Sequence, residues 1–148
     1  MRVVVQRSLE SSVLVNNEEV GKINKGLVLL VGFHVNDSLD KIDYMIKKIL
    51  KLRIFDDDNG VMNKSIIDIK GEILSISQFT LYDDTTNGNR PSYINSMKSK
   101  EAKKLYNIFN NKLRESIKVE TGIFGSDMKL NITNDGPVTI ILERWFYV

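Results

Sequence analysis

Among its 148 residues the chain has no cysteine, two prolines, one histidine, one tryptophan and no apolar run long enough to cross a membrane. Without cysteine there is no disulfide framework, no thiolate nucleophile and no thiolate metal site, a composition that suits a reducing compartment and predicts a cytoplasmic protein. The single histidine, His34, cannot build a histidine-rich metal centre, and no Gly-x-Ser-x-Gly string accompanies it as a nucleophile, so it reads as a loop histidine. The acidic run Asp56-Asp57-Asp58 lacks the alternating ligands, sixth-position glycine and twelfth-position glutamate of a calcium loop. Asn59-Gly60 between Ile54-Phe55 and Val61-Met62 reads instead as a hairpin turn. Two adjacent aspartates, Asp83 and Asp84, are too weak a pattern for a magnesium site, so no metal and no cofactor are predicted. The opening Met1-Arg2-Val3-Val4-Val5-Gln6-Arg7 is too short for a secretory apolar region and has no cleavage site. With no stretch of about 18 apolar residues, no membrane span is expected.

What is present is an ordinary globular balance, 42% hydrophobic and 27% charged, which predicts one domain over residues 1–148. A formal charge of +2 permits a polyanionic partner without indicating a basic nucleic-acid-binding tail. Valine-rich segments 2–15 and 18–23 read as strands joined at Asn16-Asn17, and Leu27 to Phe33 as a buried strand. Leu39, Ile42, Met45, Ile46, Ile49 and Leu50 recur at spacings of three and four, giving an amphipathic helix to about Leu52 behind an Asp37 or Ser38 cap. Residues 72–82 form another strand, followed by a polar loop from Asp83 to Ser92. Ser99 caps a second helix to about Ile117, with Ala102, Leu105, Tyr106, Phe109 and Leu113 on its apolar face. Its Lys100, Lys103, Lys104, Lys112 and Arg114 form a solvated face that can also meet phosphates. Strands near 118–124, 128–134 and 138–146 complete an α+β fold: a largely antiparallel sheet or barrel with two helices outside.

Three short strings exceed what strands require. In Ser77-Gln78-Phe79-Thr80-Leu81-Tyr82 polar residues interrupt an apolar strand, as at a strand end that feeds a pocket. In Gly122-Ile123-Phe124-Gly125-Ser126-Asp127-Met128 two glycines flank a phenylalanine, a bend that bares an aromatic face and a methionine for stacking on a planar base. In Asn134-Asp135-Gly136-Pro137-Val138-Thr139 a proline follows glycine, where a cis bond costs little and would expose a side-chain-free backbone edge. Read alone, each string also fits packing or an ordinary turn.

Taken in order, together with Arg2-Val3-Val4-Val5-Gln6-Arg7 and Gly88-Asn89-Arg90-Pro91-Ser92-Tyr93, these strings resemble the D-aminoacyl-tRNA deacylase family from Met1 to about Leu142. The resemblance implies a homodimeric β-barrel with helices outside, and an active site at the dimer interface that hydrolyses the ester between a D-amino acid and the 3'-terminal adenosine of tRNA. Gly136-Pro137 would match the dipeptide that enters the partner's pocket and excludes L-side chains, with Arg7 fixing its loop. Ser77, Gln78, Phe79 and Thr80 would line the pocket near the scissile ester, and Phe124, Gly125 and Met128 the adenosine wall. Glycine has no side chain to exclude, so glycyl-tRNA is implied as a further substrate. Asp83, where the family carries a small residue, and Asn87, where it often carries lysine, leave the 83–92 loop less basic than the family pattern.

No neighbouring histidine, lysine or aspartate is apparent in the Thr80 motif to activate it as a nucleophile, which favours attack by water, and the resemblance implies assistance by the substrate's 2'-hydroxyl and by backbone N–H groups around Phe79 and Thr80. Two other readings stay open at this level: a non-catalytic RNA-end or nucleotide-binding module, and a Thr80-dependent esterase of small D-amino-acid esters. The aromatic tail Trp145-Phe146-Tyr147-Val148 reads as a cover over the barrel or dimer seam.

Overall fold

The run Leu27-Val28-Leu29-Leu30-Val31 is apolar at every position, the pattern of a strand buried on both faces, and it lies at the centre of the molecule. The computed structural model describes residues 1–144; the aromatic tail from Trp145 lies outside the described residues. Strand β1 (Arg2–Ser8) is followed by the hairpin β2 (Ser11–Val15) and β3 (Glu18–Ile23), then by the central strand β4 (Gly26–Gly32). Asn16 and Asn17 at the hairpin tip both take positive φ, 51° and 63°, the conformation a two-residue turn demands and asparagine tolerates. Helix α1 (Leu39–Lys51) leads to the short hairpin β5 (Phe55–Asp56) and β6 (Met62–Lys64). There Asp57 accepts the backbone N–H groups of Asn59 and Val61, so the acidic run closes a turn, as the Asn59-Gly60 signal predicts.

Strand β7 (Glu72–Ser77) ends in a 3-10 turn (Phe79–Tyr82), after which come α2 (Ser99–Arg114), β8 (Val119–Thr121), β9 (Lys129–Asn131) and the long β10 (Asn134–Glu143). The five-stranded sheet runs β10-β1-β4-β7-β8 and a separate three-stranded sheet runs β3-β2-β9. These sheets do not close into a barrel. The larger one is mixed: β1 pairs antiparallel with β10 and β4, but β4–β7 and β7–β8 are parallel. Parallel neighbours need long crossovers, and α1 and α2 lie in those two connections. The pattern of apolar runs fixes which strands are buried but not the direction of their partners: five of the seven strand pairings are antiparallel, in keeping with the largely antiparallel sheet expected, and the two that involve β7 are parallel.

Three layers result. Leu27, Leu29, Val31 and Ile73 pack with Ile42, Met45, Ile49, Tyr106, Phe109 and Leu113 of the helices. Val28, Leu74 and Ile76 point the other way, against Val13 and Ile23 of the smaller sheet. Alternation along β4 therefore serves two cores. Several expected boundaries shift for local reasons. The predicted strand 2–15 breaks at Leu9-Glu10, where the chain leaves one sheet for the other, and the predicted strand 72–82 gives way to the 3-10 turn after Ser77. Ser99 is the first residue of α2 and not its cap, and neither helix has a side-chain N-cap bond. The strand segments expected at 118–124 and 128–134 shorten to β8 and β9, while β10 starts at Asn134 and holds the Gly-Pro pair.

Gly26 opens β4 against the start of β7. A Cβ there would lie 2.6 Å from the backbone nitrogen of Glu72 and nearer still to its carbonyl oxygen. Backbone cannot give way as a side chain can, so Gly26→Ala is expected to separate the β4–β7 ladder at its first rung. The expected cost is about 3 kcal/mol, read as a fall in melting temperature of roughly 10 °C; an unchanged melting curve would contradict it.

Candidate functional site

The parallel register of β4 and β7 ends at Val31 opposite Ser77, with the Gln78 N–H still bonded to the Val31 carbonyl at 2.8 Å. Beyond that rung the chain turns into the 3-10 segment, and the sheet stops short of filling the space ahead of it. A cleft of about 790 Å³ opens there. Its floor is Val31, Gly32 and Phe33 with Ile76, Ser77, Gln78 and Phe79; its far wall is Phe124, Gly125, Ser126 and Met128. Two of the strings singled out in the sequence, 45 residues and more apart, thus meet on one cavity, the size of a ligand site.

Each predicted residue has a definite place. Ser77 and Gln78 are half-buried at the floor, and Phe79 is 56% exposed at the mouth, edge-to-face with Tyr93 at 5.1 Å between ring centroids. Thr80 is half-buried in the 3-10 turn beside the cleft and is not among the residues lining it. Its hydroxyl accepts a hydrogen bond from the Gln78 amide at 2.5 Å. Phe79 and Thr80 open the turn, so their backbone N–H groups have no partner within it. Phe124 rests on Tyr106, 5.8 Å away, and the Tyr106 hydroxyl donates to the Ser75 carbonyl at 2.7 Å. Burial raises the Tyr106 pKa, so the phenol stays protonated and keeps donating that bond.

Gly136 and Pro137 are exposed and lie away from this cleft, in the irregularity where β10 departs from β1. The bond between them is cis, and Gly136 has φ 136°. Asn134 holds the bulge closed by accepting the Val138 N–H at 2.8 Å. Arg7 is buried behind it: its guanidinium donates to the carbonyls of Asp135 and Ile54, both at 2.9 Å, and lies 3.3 Å from the Asp56 carboxylate. Within one chain, then, the third string is held beside Arg7 and not beside the first two.

Sequence reasoning missed the near wall. Tyr93, Ser96, Met97, Lys98, Ser99 and Ala102 line the cleft because the segment before α2 is strapped along the exit of β4, with the Met97 N–H bonded to Phe33 at 3.0 Å and His34 bridged to Ser96. These contacts join positions about 60 residues apart and leave no local pattern. His34 lies beyond the strap, edge-on to Tyr82 with its Nδ1 accepting the Asn36 N–H at 3.1 Å, and burial lowers its pKa, which favours the neutral ring. Asp84, one of the two candidate magnesium ligands, accepts both the N–H and the hydroxyl of Thr86, which lower its pKa. On α2, Lys112 and Lys104 pair with Asp43 and Glu101.

Gly122 sits behind the far wall, and a Cβ added there would overlap the Met128 sulfur. A methionine end can swing aside at little cost, so Gly122→Ala is expected to keep the melting temperature within a few degrees while displacing Met128 into the cleft. The Met128 methyl resonance reports this directly; an unmoved signal would mean that the wall has room to spare.

Comparison with known proteins identifies the family. The sequence profile of the D-Tyr-tRNA(Tyr) deacylase family matches residues 4–143. A D-aminoacyl-tRNA deacylase of Thermosipho melanesiensis is 54% identical over 145 residues, covering 97% of both chains. Among solved structures, one described as a c-Myc DNA unwinding element binding protein superposes with a TM-score of 0.92 at 39% identity, covering 97% of this chain and 99% of its own. A probable eukaryotic D-amino acid tRNA deacylase shares the fold, with a TM-score of 0.81 at 20% identity over 95% of this chain and 97% of its own. By profile, sequence and fold, the chain belongs to the D-Tyr-tRNA(Tyr) deacylase family.

Proposed function

We propose that this protein removes D-amino acids from tRNA by hydrolysing the ester to the terminal adenosine, with the cleft between the 3-10 turn and the 124–128 bend as its active site. Family membership makes it a hydrolase of aminoacyl-tRNA esters. The observation that carries the site assignment is the convergence of Ser77-Gln78-Phe79 and Phe124-Gly125-Met128 on one cavity. The phenylalanine and methionine supply apolar surface for an adenine ring. Gln78 lines the cleft and is tied to Thr80 beside it, next to the N–H groups at the start of the 3-10 turn that have no partner within it.

In this reading the attacking group is water. Its oxygen adds to the ester carbonyl carbon, the carbonyl oxygen takes up negative charge against the N–H groups of Phe79 and Thr80, and collapse breaks the bond to the ribose oxygen. The neighbouring 2'-hydroxyl of the substrate assists, and the ribose oxygen leaves with a proton as free D-amino acid and tRNA separate. Because the ester is already activated, positioning and charge stabilisation suffice. The chemistry calls on no cofactor or metal.

Selection against L-amino acids is assigned to Gly136-Pro137 of a second copy. Supporting this are the exposure of the pair, its anchoring through Asp135 to buried Arg7, and its place on β10, an edge strand with Ile141 62% exposed. An unpaired apolar edge suits pairing with another copy. Backbone atoms held this way reject a side chain by overlap, and glycine has none to reject, so glycyl-tRNA also enters. The reading places the protein in the cytoplasm, with charged tRNA as its partner.

Release of labelled amino acid from D-tyrosyl-, L-tyrosyl- and glycyl-tRNA is the direct test. The D-ester and the glycyl ester are expected to be cleaved, and the L-ester at least about a hundredfold more slowly. Binding of all three with release of none would favour a non-catalytic RNA-end module. Thr80→Val is expected to retain turnover within several-fold; a loss of about a thousandfold or more with binding intact would identify Thr80 as the nucleophile and overturn attack by water.

A further inference from the structure

Strand β7 outlasts one of its two neighbours. Its ladder with β4 runs to Ser77, whereas its ladder with β8 ends at Ser75 opposite Thr121. Alternate residues of a strand turn their N–H and C=O groups to the same side. Ile73 gives its N–H to the Lys118 carbonyl beside β8, so Ser75 and Ser77 face that side too. Past the last rung the neighbour is a side chain: the Tyr106 hydroxyl donates to the Ser75 carbonyl at 2.7 Å. We propose that Tyr106 is a positioning residue for deacylation, its hydroxyl standing in for the strand that β7 lacks and its ring setting the far wall, an inference that rests on the main cleft being the active site.

One side chain thereby links two walls of the cleft. Burial raises the Tyr106 pKa, and the Asn110 side chain and the Ser77 N–H, which face the phenol oxygen, work against that rise. The hydroxyl thus addresses β7 at Ser75 and again at Ser77, immediately before Gln78 and Phe79 on the cleft floor. On its other side the ring carries Phe124 of the far wall, 5.8 Å away. Tyr106 itself is 3% exposed and does not line the cleft, so it acts through residues that do. Packing alone asks for no polar group here. Ala102, Phe109 and Leu113 on the same helix face are apolar, and a phenol and an amide buried among them cost free energy that phenylalanine and leucine would avoid. The Asn110 Oδ1 is buried with no hydrogen-bond partner among the described residues, so the pair contributes direction to the end of β7 more than stability.

The test compares Tyr106→Phe and Asn110→Leu with the unaltered protein on D-tyrosyl-tRNA. Tyr106→Phe keeps the ring behind Phe124 and removes the hydroxyl; kcat is expected to fall about thirtyfold with KM changed by no more than about twofold, because misplaced floor groups act on the transition state more than on binding. Asn110→Leu removes the buried unpartnered oxygen, so its melting temperature is expected to stay level or rise while kcat still falls about fivefold, a split that a purely structural role would not produce. Asn110→Leu decides the matter even where Tyr106→Phe does not fold. Hydrogen exchange at the Ser77 amide is expected to quicken in both variants, with Val28 at the centre of β4 unchanged. A kcat that stays within about twofold in both variants, or that falls only where the melting temperature falls, would overturn the positioning role and leave the deacylase reading intact. No hydrolysis of D-tyrosyl-tRNA by the unaltered protein would overturn that reading, and the positioning role with it.

Discussion

The parallel ladder between β4 and β7, from Gly26 opposite Glu72 to Val31 opposite Ser77, is the contact on which the rest of the molecule depends. Parallel pairing forces the chain to cross over between the two strands, which puts α1 on one face and lets the same strands bury their other face on the smaller sheet. It also fixes where the ladder stops. The ladder ends at Val31 opposite Ser77, so the backbone freed after Ser77 and the strap at Phe33 border the same opening.

That shared end explains why the cleft lies where it does. A 3-10 turn that starts at the end of a sheet leaves its first N–H groups without partners within the turn, and it does so beside a cavity walled by side chains from three distant segments. Rigid elements stand behind each wall: β7 behind Ser77, Tyr106 of α2 behind Phe124, and the β2–β9 pair behind Met128. Positions held by sheet and helix keep their geometry better than positions held by loops alone, which matters where catalysis relies on positioning.

A second, smaller hollow lies on the other side of Met128, which gives the bend at 124–128 a double role, as wall of the main cleft and as partition from its neighbour. Gly122 and Gly125 make such a bend possible. Gly125 has φ 80° with open space around it, whereas at Gly122 the movable end of Met128 occupies the place that a side chain would take. Arg7 has a comparable function at the other end of the molecule, where one buried guanidinium joins β1, the β5 hairpin and the Gly-Pro bulge.

The sequence by itself determined the elements with strong periodicity: the two amphipathic helices, the doubly buried β4, the Asn16-Asn17 and Asn59-Gly60 turns, and the three strings of unusual composition. Each of those rests on neighbours within one or two turns of chain, where spacing and turn chemistry act directly. Tertiary structure alone decided the mixed direction of the main sheet, the break of the 72–82 segment into strand and 3-10 turn, and the near wall from Tyr93 to Ala102. Those depend on contacts between residues tens of positions apart, such as Met97 with Phe33 and Gln78 with Val31, and no local pattern encodes which distant backbone will answer a given N–H. The same holds for the gathering of residues 77–79 with 124–128, since chain-distant strings become one site only when the parallel ladder brings their strand ends to the same edge.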